Sequence, residues 1–229
     1  QTDPYVMAPL GVDPVSLAGI QARALVEAGK ATEKDFAEIV ARSHRNALSN
    51  PNAQLKTVVP AAELLEAPYV SAPLRKHDIA PASDGAAAII IARGGRAREL
   101  TKTPVWIRNI DHRIESHHPG LRDLTTSVST RLAAQNVGLA DGPIDVAELM
   151  VTHSHEEIIL REAMGLADDA NVNPSGGPLT GNPVMATGLV RVIEVAQRIM
   201  NGEAGRGVAH ASSGPALQQN LLCVLEGDK

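Results

Sequence analysis

The sequence is short of the residues that several common chemistries require. It has one cysteine, Cys223, in 229 residues, which excludes an internal disulfide framework and any multi-cysteine zinc site and fits a reducing, cytoplasmic setting. It has four aromatics, Tyr5, Phe36, Tyr69 and Trp106, and no long run of lysine or arginine. Base stacking and phosphate tracking both lack their side chains, so no nucleic-acid partner is expected. The longest apolar stretch, GAAAIIIA at residues 85–92, is far shorter than the ~20 residues of a membrane helix, and no span is expected. The amino terminus QTDPYVMAPL lacks an initiator methionine, a charged n-region and a continuous apolar run. It reads as a processed or internal start and not as a signal peptide.

What is present is a globular composition. Hydrophobic residues make up 44%, enough for a real core, and 21 basic against 26 acidic residues leave a formal charge of −5. Asp13-Pro14 supplies an N-cap and an N1 proline, Leu17, Ile20, Ala24 and Leu25 follow at helical spacing, and Gly29 closes the helix. Thr32 with Asp35 forms a capping-box pattern ahead of a second stripe, Phe36, Ile39, Val40 and Ala47. Pro60, Pro68, Pro73 and Pro81 make residues 58–81 a covering loop with a short helix. Residues 86–92 read as a strand buried on both faces, and Gly94-Gly95 marks a boundary.

Beyond it, strands at 105–107, 144–150, 208–211 and 220–225 interleave with helices at 124–134, 154–164 and 189–200. That alternation predicts an α/β layered fold, with helices on both faces and the last two strands as an antiparallel hairpin. Leu189, Ile193, Ala196 and Met200 are expected to share the helix face that packs.

The most informative stretch is the loop NPSGGPLTGNPVMATG at residues 173–188, which runs into a helix N-terminus. Its glycines either let backbone N–H groups approach a ligand or shape a tight crossing between layers. NPSGG, GNP and ATG in this loop, with GVAHASSG at residues 207–214, resemble the C-terminal half of the thiolase superfamily. Its sterol-carrier-protein-x and lipid-transfer-protein branch is the nearer likeness. RSHRNALSNPNAQL, APLRKHDIAPASDGAAAIIIA and EEIILREAMGL agree in the same order along the chain.

The resemblance implies a thiolase fold of two similar halves, each with a five-stranded sheet. Residues 1–95 would be the end of the first half with its loop insertion, and residues 96–229 the second half. It implies chemistry on acyl-CoA thioesters, either carbon–carbon cleavage or acyl transfer, steroid and fatty acyl groups among the substrates. No resident cofactor is implied, coenzyme A entering with the substrate. A homo- or heterodimer with a thiolase-like chain is expected, and a non-catalytic partner subunit or lipid-CoA carrier is the alternative.

Carried over position by position, the motifs leave little of thiolase Cys/His chemistry. Asn182 stands where the family's G-H-P histidine acts as base; an amide takes no proton but can donate a hydrogen bond. Met150 stands where the family has its oxyanion His or Asn. Cys223, in the apolar run LLCVLE, reads as a small buried hydrophobe. His210, in G-x-A-H, is then the candidate acid/base, against the alternative of a structural histidine. Gly176 and Gly177 are expected to bind substrate through their backbone. Ser212 and Ser213 either bind it or cap a turn. His153 and His155, in VTHSHEE, are expected at the mouth of a helix capped by Ser154 and Glu157, where they can contact substrate; no metal site is expected there. Asp111, His112, Glu115, His117 and His118 read as a solvated loop, and Ser83-Asp84-Gly85 as a structural turn.

Overall fold

The computed structural model describes residues 3–228. Seven helices occur among them: α1 (Pro14–Glu27), α2 (Glu33–Asn46), α3 (Ala61–Leu64), α4 (Gly94–Leu100), α5 (Val128–Asn136), α6 (Glu156–Met164) and α7 (Thr187–Met200). The strands are β1 (Tyr69–Ser71), β2 (Leu74–Arg75), β3 (Val105–Ile114), β4 (Val146–Glu148), β5 (Arg206–Ser213) and β6 (Gln219–Gly227).

The first two helices form where their caps predict. Asp13 accepts from the Ser16 N–H with Pro14 at N1, and Thr32 and Asp35 close a reciprocal capping box. Gly29 takes a left-handed φ of 69° just past α1. Leu17, Leu25, Phe36 and Val40 lie within the core, whereas Ile20 is exposed.

The main sheet has four strands in the order β3-β6-β5-β4. β3 and β5 both pair antiparallel with β6, and β5 pairs parallel with β4. The expected five-stranded sheet stops at an isolated parallel bridge between Ala147 and Val172. Alternation sends successive residues to opposite faces. Ala147, Val208, Leu222 and Val224 pack with the α1, α2, α5 and α6 layer. Val146, Ala209, Cys223 and Leu225 face Val195 and Ile199 of α7. Helices therefore cover both faces, as expected.

Three expectations are corrected. Residues 86–92 form no strand, and Ile90 is 92% exposed; a ladder needs a neighbouring strand, and no described segment pairs with this one. The buried stripe of α7 is Thr187, Arg191, Val195 and Ile199, not the predicted stripe, because the Arg191 head group is drawn inward to a buried carboxylate. At α6 the capping box does not form: Ser154 gives its hydroxyl to Asp78 (2.7 Å), and Glu157 pairs with Arg42.

Candidate functional site

The Gly-rich loop is built from the inside out. Asn173 takes a left-handed φ of 48°, and its Oδ1 accepts from the Leu149 N–H (2.7 Å) at the end of β4. Glu148, the fully buried last residue of β4, accepts from the Ser175 N–H (3.0 Å) and hydroxyl (2.7 Å) and from Arg191 of α7. Gly176 and Gly177 have positive φ. A side chain on Gly176 would strike Ala47, and one on Gly177 would strike Asn173. Their N–H groups already donate to the Asn173 carbonyl and the Ser175 hydroxyl. Both glycines are buried and shape the crossing, and Gly177 also borders the cleft described below.

Asn182 stands differently. Its Oδ1 accepts from the Thr187 hydroxyl (2.6 Å) at the first residue of α7, which turns the Nδ2 donors away from that helix. Its backbone is clamped to Ser83, whose hydroxyl accepts from the Asn182 N–H (2.9 Å) and whose N–H donates to the Asn182 carbonyl (3.1 Å). Gly85 sits so close to Pro183 that a Cβ would come within 2.8 Å. Ser83 and Gly85 thus have the structural roles expected of them, and Asp84 is exposed.

His210 is fully buried on β5. Its Nδ1 accepts from the Met150 N–H (3.3 Å), so Nε2 carries the proton and donates to Asn220 Oδ1 (2.9 Å). Asn220 passes the chain on to Ser129 (2.7 Å), which donates to Glu115 (2.6 Å). Burial lowers the His210 pKa to about 4. Both ring nitrogens are engaged, so this neutral imidazole offers nothing to a ligand in this arrangement. Met150 does lie at the site, its sulfur accepting from the Ser212 N–H. Ser212 is half-buried and Ser213 exposed, and both belong to β5, so neither caps a turn.

His155 stands at the mouth of α6 as its N-cap residue, but its side chain is fully buried. Its Nε2 faces Gln21 Oε1 (3.1 Å), its ring meets Phe36, and desolvation lowers its pKa to about 3. His153 is half-buried, with Nδ1 on Glu156 Oε1 (3.1 Å). Glu156 opposes its own desolvation by accepting from His153, and its pKa falls to about 2. Cys223 is buried between sheet and α7, and desolvation pushes its thiol up to about 11.

The structure therefore joins Met150, His210 and Ser212, and holds Asn182 apart on Ser83 and Thr187. Sequence reasoning missed Glu148, Asn220 and Glu156. An asparagine directly ahead of the apolar run LLCVL was the available signal for Asn220. Glu115 leaves the predicted solvated cluster to anchor α5 through the Ser129 N–H (2.9 Å). Among the described residues, no group of three or more His, Cys, Asp or Glu is placed to hold a metal ion. No helix among them is long and apolar enough to cross a membrane.

A cleft of about 680 Å³ opens between residues 82–88 and α7, lined by Asn50, Gln54, Ser83, Gly181 and Glu194. Neither His153 nor His210 lines it. Burial raises the Glu194 pKa.

A four-stranded sheet between helical layers, with a buried Glu–Arg pair anchoring a Gly-rich loop at the mouth of α7, defines a layered α/β protein. No family model matches the chain. It is similar to an acetyl-CoA acetyltransferase of Methanothermobacter thermautotrophicus, 33% identical over 221 residues, 86% of this chain and 57% of that protein. It is also similar to bovine sterol carrier protein 2, 25% identical over 95% of this chain and 45% of that protein. The chain thus spans about half the length of these curated relatives. Among solved structures, an Ltp2-ChsH2(DUF35) aldolase superimposes with a TM-score of 0.75 over all of this chain and 69% of its own, at 18% identity. Human mitochondrial 3-ketoacyl-CoA thiolase superimposes at 0.74 over 93% and 60%, at 14% identity. The chain belongs to the thiolase superfamily and carries part of its fold.

Proposed function

We propose that the chain acts on acyl-CoA thioesters, as part of an enzyme that cleaves a carbon–carbon bond by retro-aldol chemistry. The observation that carries this reading is the Asn182 amide. Thr187 fixes its orientation, Ser83 fixes its backbone, and it stands before the 14-residue α7, whose N-cap residue Ala186 makes no side-chain cap. Preorganised donors of this kind stabilise the oxyanion of a thioester enolate. Cys223, buried with its thiol raised to about 11, is not itself the thiolate that acyl transfer of the thiolase type needs.

The likeness to a DUF35-containing aldolase supports the expectation of a second, thiolase-like chain. So do the open edge of β3, where Ile110 is 55% exposed, and the exposed side chains Ile90, Val184 and Met185. The division into an end of one half and a second half, with its boundary near Gly94-Gly95, belongs to the same reading.

A non-catalytic carrier or partner subunit is the second reading, and the engagement of both His210 ring nitrogens favours it. The test is to incubate the native polypeptide, with any copurifying chain, with a series of β-hydroxyacyl-CoA thioesters. Formation of a shortened acyl-CoA and a free carbonyl compound is expected. Saturable binding without product would establish the carrier reading, and neither binding nor product would remove both.

A further inference from the structure

The segment 76–83 is a strap laid across the site. At one end the Ala80 N–H donates to the Thr152 carbonyl (2.8 Å), the Ser154 N–H donates to the Asp78 carbonyl (2.9 Å), and Ile79 bridges His153. At the other end Ala82 bridges Asn182, and Ser83 clamps it. Ile79 and Ala82 are three residues apart, about 10 Å of extended chain. His153 and Asn182 are thus both tied through their backbone to this one strap, at positions three residues apart, while His210 is fully buried.

His153 also has the arrangement of a working histidine. The Glu156 carboxylate only accepts, so the Nδ1 facing it at 3.1 Å carries the proton. Glu156 is itself fixed by the N–H groups of Thr152 (2.7 Å) and His153 (3.1 Å). Among the described residues the His153 Nε2 has no hydrogen-bond partner, and the side chain is 12% exposed. The other titratable side chains nearby are engaged elsewhere: Asp78 with Ser154, His155 with Gln21, His77 beside Asp78 at 3.6 Å.

We propose that His153, oriented by Glu156, is the acid/base of this site, and that His210 is a fixed interior hydrogen-bond donor. This rests on the retro-aldol reading above. His153 Nε2 takes the proton of the substrate β-hydroxyl, and the oxygen lone pair closes the carbonyl. The bond between the α and β carbons breaks, with its electron pair left on the α carbon as the thioester enolate, and the Asn182 amide donates to the enolate oxygen. The imidazolium then returns its proton to the α carbon. A β-hydroxyacyl thioester becomes one carbonyl compound and one shortened acyl thioester, with no redox partner. Glu156 is a positioning residue, since it acts only through His153.

The experiment has two readouts on the native polypeptide with any copurifying chain. Nitrogen-15 spectra of the histidine rings are expected to show neutral His153 protonated on Nδ1 and His210 on Nε2. 3-Hydroxybutyryl-CoA should move the His153 Nε2 signal and leave His210 in place. In turnover, His153→Gln should lose about 10²–10⁴-fold in kcat, His210→Gln should keep kcat of the same order, and Glu156→Gln should lower kcat with KM held. An Nε2-protonated His153, a thioester response at His210 alone, or turnover surviving His153→Gln but lost in His210→Gln would overturn the proposal. If the wild type binds thioesters without cleaving them, the retro-aldol reading fails, and the acid/base role fails with it. A His153 ring shift would then still place the ligand on the strap.

Discussion

Replacing Arg191 by leucine is the sharpest perturbation of the loop that carries Asn182. In the native protein Glu148 is 0% exposed and Arg191 3%, and the carboxylate is balanced by that one guanidinium and by the Ser175 N–H and hydroxyl. Removing the cation leaves a buried anion with two neutral donors, a loss of about 3–5 kcal/mol. For a chain of this size that lowers Tm by roughly 6–20 °C. Glu148→Leu should cost a similar amount by orphaning the guanidinium. Combined, the two changes remove both charges and leave only the Ser175 donors unpaired, so the double variant should cost less than the two singles together by about 2 kcal/mol or more. Calorimetric unfolding of the wild type, both singles and the double at pH 7 closes the cycle. Additive singles, or an Arg191→Leu variant that melts with the wild type, would refute the claim that this pair anchors the loop.

Other outcomes follow from the same geometry. His155 and His210 are held neutral to about 3 and about 4. The unfolded chain therefore binds extra protons below pH 6.5, and stability, full above that pH, should fall toward pH 4 by about 1.4 kcal/mol per pH unit for each histidine. Below pH 4.5 Glu156 adds to the loss, and His210→Gln should flatten the upper part of a Tm-against-pH curve. Cys223 should resist a thiol reagent in the native protein at pH 8 and react once it is unfolded; prompt native labelling would contradict its burial. Gly188→Val should loosen the mouth of α7, because even a Cβ there comes within 2.7 Å of the Ala211 Cβ, and weaker thioester binding with a lower Tm is expected.

Much of this was legible in the sequence because it was written in local signals. Caps at Asp13 and Thr32, the short apolar runs of β5 and β6, and the motif order of residues 173–214 each depend on few neighbours. What failed depended on partners distant in sequence. GAAAIIIA has strand composition, but strand formation requires a paired edge that residues 86–92 lack. The α7 stripe was misplaced because Arg191 turns inward to Glu148, 43 residues away. Ser154 looked like a cap, and Asp78 claims it instead. For His210 the sequence left acid/base and structural roles open, because nothing local marks Asn220 and the Met150 N–H as its partners.

Hydrogen exchange with and without a saturating thioether analogue of 3-hydroxybutyryl-CoA tests the central claim most directly. New protection is expected over residues 76–83, 150–156 and 180–190, with β3 and α1 unchanged. Protection confined to the cleft beside Asn50 and Glu194, or none anywhere at saturation, would contradict it.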